Sequence, residues 1–97
     1  MDWEGKERRK FVRGDLPCKV FIYVPQGHII SSYTEDISQG GARVLLEERL
    51  DVGSFIAVEI YSDEEPLIRK GKVVWVKEKQ GTNRLGTAWF DTGIEFN

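Results

Sequence analysis

No stretch longer than twelve residues in this chain is free of glycine and proline, which leaves little room for long helices. Gly14, Pro17, Pro25, Gly27, Gly40, Gly41, Gly53, Pro66, Gly71, Gly81, Gly86 and Gly93 interrupt it at short intervals. Strands fit between such breaks, because a strand is complete in about five or six residues. Residues 18–24 (CKVFIYV) concentrate β-branched and aromatic side chains, and residues 29–37 alternate in part, with Ile29, Ser31 and Tyr33 on one face. Residues 55–61 (FIAVEIY) set Ile56, Val58 and Ile60 against Phe55, Ala57, Glu59 and Tyr61, and residues 71–79 and 93–96 read as further strands. Residues 45–51 (LLEERLD) have the composition of one helical turn. Residues 80–91 exceed a short hairpin connection, and the pattern assigns them no path. Short strands between close turn signals predict an all-β fold, a small barrel or a sandwich. A length of 97 residues allows one such domain.

Charge divides the chain unevenly. Lys6, Arg8, Arg9, Lys10 and Arg13 stand against Asp2, Glu4 and Glu7 in the first thirteen residues, although the whole chain has a net charge of −2. The reading is a flexible basic N-terminal arm, residues 1–14, ahead of an acidic body, residues 15–97. The overall negative charge argues against nucleic acid held by bulk electrostatics. One cysteine excludes an intrachain disulfide, and one histidine beside it excludes the usual structural zinc sets, so no metal is expected. The opening MDWEGKERRKF lacks the apolar core of a secretory signal. The longest uncharged run, residues 20–34, is broken by Pro25, Gly27, Ser31 and Ser32 and is too short to span a bilayer. A cytoplasmic protein without membrane insertion is the expectation. No GxxxxGK[ST] or GxGxxG occurs, and Cys18 and His28 lack a third group that would make them a catalytic pair, so no catalytic residues are expected. Glu47 and Glu48 read as solvated surface.

Pro25-Gln26-Gly27-His28 is the expected turn between the first two strands, with antiparallel partners summing to about 53 by symmetry about that turn. That pairing sets Pro17 opposite Asp36 and brings the basic arm beside Asp36-Ile37-Ser38-Gln39-Gly40-Gly41. Arg9 and Arg13, four residues apart, supply planar guanidinium forks that match phosphate oxygens or the O6/N7 edge of guanine. Asp36 accepts N–H groups, Ser38 donates and accepts, and Gly40 and Gly41 let a ligand approach the backbone. Equally, Asp36 and Ser38 could close a turn and the glycines could serve positive-φ positions.

Arg8-Arg9-Lys10-Phe11-Val12-Arg13 resembles the RxxxR element of the PilZ domain family, in its RRxxxR form, and Asp36-Ile37-Ser38-Gln39-Gly40-Gly41 resembles its [D/N]xSxxG element. Lys72-Val73-Val74-Trp75-Val76 and Gly93-Ile94-Glu95-Phe96 resemble later strands of that family. The resemblance implies a six-stranded antiparallel, split β-barrel that binds cyclic di-GMP and is not an enzyme. It implies that Arg9 and Arg13 grip guanine edges and phosphates, that Asp36 and Ser38 contact a guanine or a phosphate, and that Gly41 permits close approach. Arg8 would add a third fork suited to a stacked ligand pair, and Trp75 is a candidate stacking surface. The implied role is a receptor that orders its arm on binding and signals to a protein partner. A small barrel binding single-stranded nucleic acid, or an adaptor working by protein contact without a ligand, are the alternatives.

Overall fold

A computed structural model describes residues 17–62 and 65–97. Six strands form: β1 (Lys19–Tyr23), β2 (Ile29–Ile37), β3 (Gly41–Leu46), β4 (Phe55–Tyr61), β5 (Leu67–Thr82) and β6 (Ala88–Phe96). They close a barrel in the order β1-β2-β3-β6-β5-β4, with every neighbouring pair antiparallel. Alternation on each strand fills the interior. Val20 and Ile22, Val44 and Leu46, Ile56, Val58 and Ile60, Val73 and Ile94 are all buried there. Each such aliphatic side chain contributes roughly 1.5–3 kcal/mol of transfer free energy on burial. On residues 55–61 the face of Ile56, Val58 and Ile60 packs inward, and Ile29, Ser31 and Tyr33 share one face as expected, which is the outer one.

Three expectations are corrected. No helical turn forms at residues 45–51. Leu45 and Leu46 instead finish β3, because Ala42, Val44 and Leu46 alternate into the core and that burial overrides the helix preference of Leu-Leu-Glu-Glu. Residues 80–91 are no loose excursion, since β5 and β6 run through them as a long hairpin. The β1–β2 register sums to 52, with Lys19 opposite Tyr33, because the turn has three residues rather than four. Gly27 donates to the Val24 carbonyl at 3.0 Å and takes a φ of 104°, the left-handed position that closes a three-residue hairpin loop. Thr34 completes this edge, since Cys18 N–H donates to its Oγ1 at 2.9 Å and its own N–H donates to the Cys18 carbonyl at 2.9 Å.

The β5–β6 turn repeats that loop design at Asn83-Arg84-Leu85-Gly86-Thr87, with Gly86 at a φ of 82°. Asn83 organises it. Its Oδ1 accepts the N–H groups of Leu85 at 2.8 Å and Thr87 at 3.2 Å, and its Nδ2 donates to the carbonyls of Ala88 at 2.9 Å and Glu47 at 3.2 Å. Asn83→Ala strands several of these partly buried groups and should cost about 2–3 kcal/mol in urea unfolding. Asn83→Asp, which keeps the acceptor and loses the donors, should fall between the two. Glu47 and Glu48 are also more than solvated surface: Arg84 Nε donates to Glu47 at 2.9 Å, and His28 Nε2 sits 3.0 Å from each Glu48 oxygen. His28 is thus engaged with Glu48, while Cys18 is buried in the barrel.

Candidate functional site

Two irregularities in the strand pairing aim the side chains of the site. On β2, Ile30 and Thr34 point inward, so simple alternation would turn Asp36 inward as well. The register instead shifts between Thr34 and Asp36, leaving Asp36 exposed and Ile37 in the core. On β5, Gly71 and Val73 face inward, and alternation would bury Trp75. A second shift between Val73 and Trp75 puts the indole outside and packs Val76 against the core. Re-aiming a side chain in this way is what a β-bulge does.

The re-aimed residues meet in one row across four strands. Asp36 on β2 is the partner of Arg43 on β3, Arg43 is the partner of Gly93 on β6, and Gly93 is the partner of Trp75 on β5. Gly93 has no side chain, and the Trp75 indole occupies the space where its Cβ would stand. The ring is therefore laid down toward β3 and remains 41% exposed. Asp36, Ser38, Gly41, Ala42, Arg43 and Trp75 line a cleft of about 240 Å³.

The β2–β3 connection forms one end of that cleft. Ser38 N–H donates to the Gly41 carbonyl at 2.8 Å, and Gly40 N–H donates to Ser38 Oγ at 3.3 Å. The Gly40 carbonyl accepts Phe96 N–H at 2.9 Å, and the Gln39 carbonyl accepts Arg69 NH2 at 3.4 Å while that guanidinium lies 4.9 Å over the Phe96 ring. Ser38 thus does close a turn, and it lines the cleft as well. The glycines, however, do not serve positive-φ positions, because neither Gly40 nor Gly41 has one. A Cβ on Gly41 would collide with the Ile94 carbonyl oxygen, so its bareness serves the close pairing of β3 with β6. A Cβ on Gly40 would meet open space.

The structure therefore brings Asp36, Ser38, Gly41 and Trp75 together, with Gly40 next to them in the same turn. Arg8, Arg9 and Arg13 lie outside the described residues. Sequence reasoning missed Arg43, whose NH1 donates to both carboxylate oxygens of Asp91 at 3.2 and 3.3 Å. Recognising β3 would have exposed it, since a strand beginning at Gly41 pairs Arg43 with Asp36. Trp89 lines a separate groove with Ile29, Tyr33, Leu45 and Leu85.

Resolved pKa shifts fall elsewhere on the barrel. Hydrogen bonds from the Tyr23 and Tyr61 hydroxyls, each 2.7 Å long, hold the Glu59 carboxyl below its ordinary range, and the same bonds raise both phenols. None of these groups lines the cleft. Among the described residues, no group of three or more His, Cys, Asp or Glu is placed to hold a metal ion, and no helix is long and apolar enough to cross a membrane.

Comparison with known proteins agrees with this architecture. A family model described as the PilZ domain matches residues 7–96. Among solved structures, the chain is similar to the PilZ domain with c-di-GMP of YcgR from Escherichia coli. The TM-score is 0.67 at 17% identity, over 92% of this chain and 77% of that one. At that identity the likeness concerns the fold. No curated protein matches the sequence.

Proposed function

The chain belongs to the PilZ domain family, and we propose that it is a receptor for cyclic di-GMP and not an enzyme. The observation that carries this reading is the shared cleft. The Asp-x-Ser-x-x-Gly segment and Trp75 lie on strands well separated in sequence, and two separate bulges turn Asp36 and Trp75 toward it. An indole that covers Gly93 and stays partly exposed offers a surface on which a guanine can stack. Asp36, two strands away in the row, accepts N–H groups such as those on guanine's Watson–Crick edge. The ligand bound by the structural neighbour supports the same reading.

The arginine motif completes the site from the other side. Arg9 and Arg13 supply forks for the guanines and phosphates, and Arg8 a third. Ligand phosphates then draw residues 8–13 onto the Asp36–Gly41 segment, and the rearranged arm is the surface a protein partner reads. This is a change driven by contacts that exist only with ligand bound.

Calorimetric titration of the full chain tests the receptor reading. Cyclic di-GMP should bind saturably, GMP should bind much more weakly, and a single-stranded oligonucleotide should not bind. Micromolar affinity corresponds to about 8 kcal/mol, within reach of a few charge-assisted bonds after ordering costs. Asp36→Ala should weaken cyclic di-GMP by about tenfold or more. Saturable binding of the oligonucleotide with no heat from cyclic di-GMP would replace this reading with single-strand recognition.

A further inference from the structure

Arg43 belongs to neither sequence motif, yet it occupies the centre of the row. Asp36 is its partner on one side and Gly93, covered by the Trp75 indole, on the other. Neighbouring strands lie about 4.8 Å apart, so a base stacked on an indole that covers Gly93 presents its edge to the β3 position next to it. The Arg43 side chain is 41% exposed and lines the cleft, whereas that of its partner Asp91 is only 9% exposed. Asp91 lies two residues before Gly93 on β6, diagonal to Arg43, and its two oxygens hold only NH1. Nε and NH2 have no bond among the described residues. The arrangement is a fork with one terminal nitrogen fixed by a buried carboxylate and with Nε and NH2 as its remaining donors.

We propose that Arg43, oriented by Asp91, reads the O6/N7 edge of the guanine that stacks on Trp75, so that β3 supplies a base-specificity residue in addition to the arginine motif. The inference rests on the cyclic di-GMP reading above. A guanidinium donates in the plane of a guanine edge and matches its two acceptors, which is how arginine recognises that base elsewhere. Asp91 is a positioning residue here, since it acts on the ligand only through Arg43.

The test is a thermodynamic cycle between residue and base. Cyclic di-GMP and its 7-deazaguanine analogue, which lacks the N7 acceptor, are titrated into the unaltered chain, Arg43→Ala, Arg43→Lys and Asp91→Asn. Arg43→Ala should weaken cyclic di-GMP at least tenfold and shrink the penalty for the 7-deaza analogue several-fold. Arg43→Lys should restore neither, because an ammonium lacks the planar fork. Asp91→Asn should show a smaller loss in the same pattern. Should Asp91→Asn fail to fold, as circular dichroism would reveal, the partly exposed Arg43 variants decide alone. An undiminished 7-deaza penalty in Arg43→Ala would mean a phosphate contact and overturn the base-reading role, as would unchanged affinity. If the unaltered chain binds neither ligand, the receptor reading itself fails and this inference with it. Failure of the cycle in a chain that does bind overturns Arg43 alone.

Discussion

Gly41→Ala should lower stability by about 3 kcal/mol, the upper range for forcing an added carbon into a packed site. In a domain of this size that is a fall of about 12–24 °C in melting temperature. The added Cβ would strike the Ile94 carbonyl oxygen, and a backbone group cannot rotate aside as a side chain can. Relief requires β3 to withdraw from β6 where Gly41 pairs with Glu95 and Ala42 with Ile94, next to the bond from Phe96 N–H to the Gly40 carbonyl. Gly40→Ala is the control. Its Cβ enters open space at an ordinary φ, so stability should stay within about 0.5 kcal/mol of the parent. Thermal unfolding of both variants checks the pair. A Gly41→Ala protein melting within two or three degrees of the parent would contradict the role given to that glycine. The contrast also separates two neighbouring glycines: Gly41 packs β3 closely on β6, while Gly40 borders open space.

That division explains what could be read from residues alone and what could not. The alternation of residues 55–61 sets three branched aliphatics on one face, so β4 was legible to the residue. The hairpin of β1 and β2 was legible to within one register step, the error being the length of a loop set by the positive φ of Gly27. β3 was hidden because Leu-Leu-Glu-Glu favours a helix locally, and only the core vacancy between β2 and β6 makes it a strand. The bulges were hidden for a deeper reason. Period-two alternation says which residues could share a face, but a bulge resets the phase at a point fixed by pairing with the neighbouring strand. Asp36 and Trp75 were named from motif and residue type, yet their shared outward aim follows from those two resets. Arg43 was lost with the strand that carries it.

Arg9→Ala and Arg13→Ala should each reduce affinity for cyclic di-GMP by about thirtyfold, the equivalent of about 2 kcal/mol for a lost charge-assisted fork. The double variant should show no measurable heat. Cys18 and Thr34 exchange backbone and hydroxyl bonds, so the chain enters β1 at Pro17, close to Glu35 and one residue from Asp36. Arg13 is four residues before Pro17, a reach of at most about 14 Å, and Arg9 is eight before it, at most about 29 Å. At about 4.8 Å per strand, the shorter reach covers Asp36 on the adjacent strand, and the longer one also spans the row to Arg43 and Trp75. Arg9→Lys should not rescue, since charge without the fork cannot engage two acceptors at once. Binding by Arg9→Ala should also show a shallower dependence on salt if the lost contact is to phosphate, and an unchanged one if it is to a guanine edge. Full affinity in the Arg9→Lys variant would reduce the arginine motif to simple positive charge. The selectivity of the site would then rest on the row of Asp36, Arg43 and Trp75 alone.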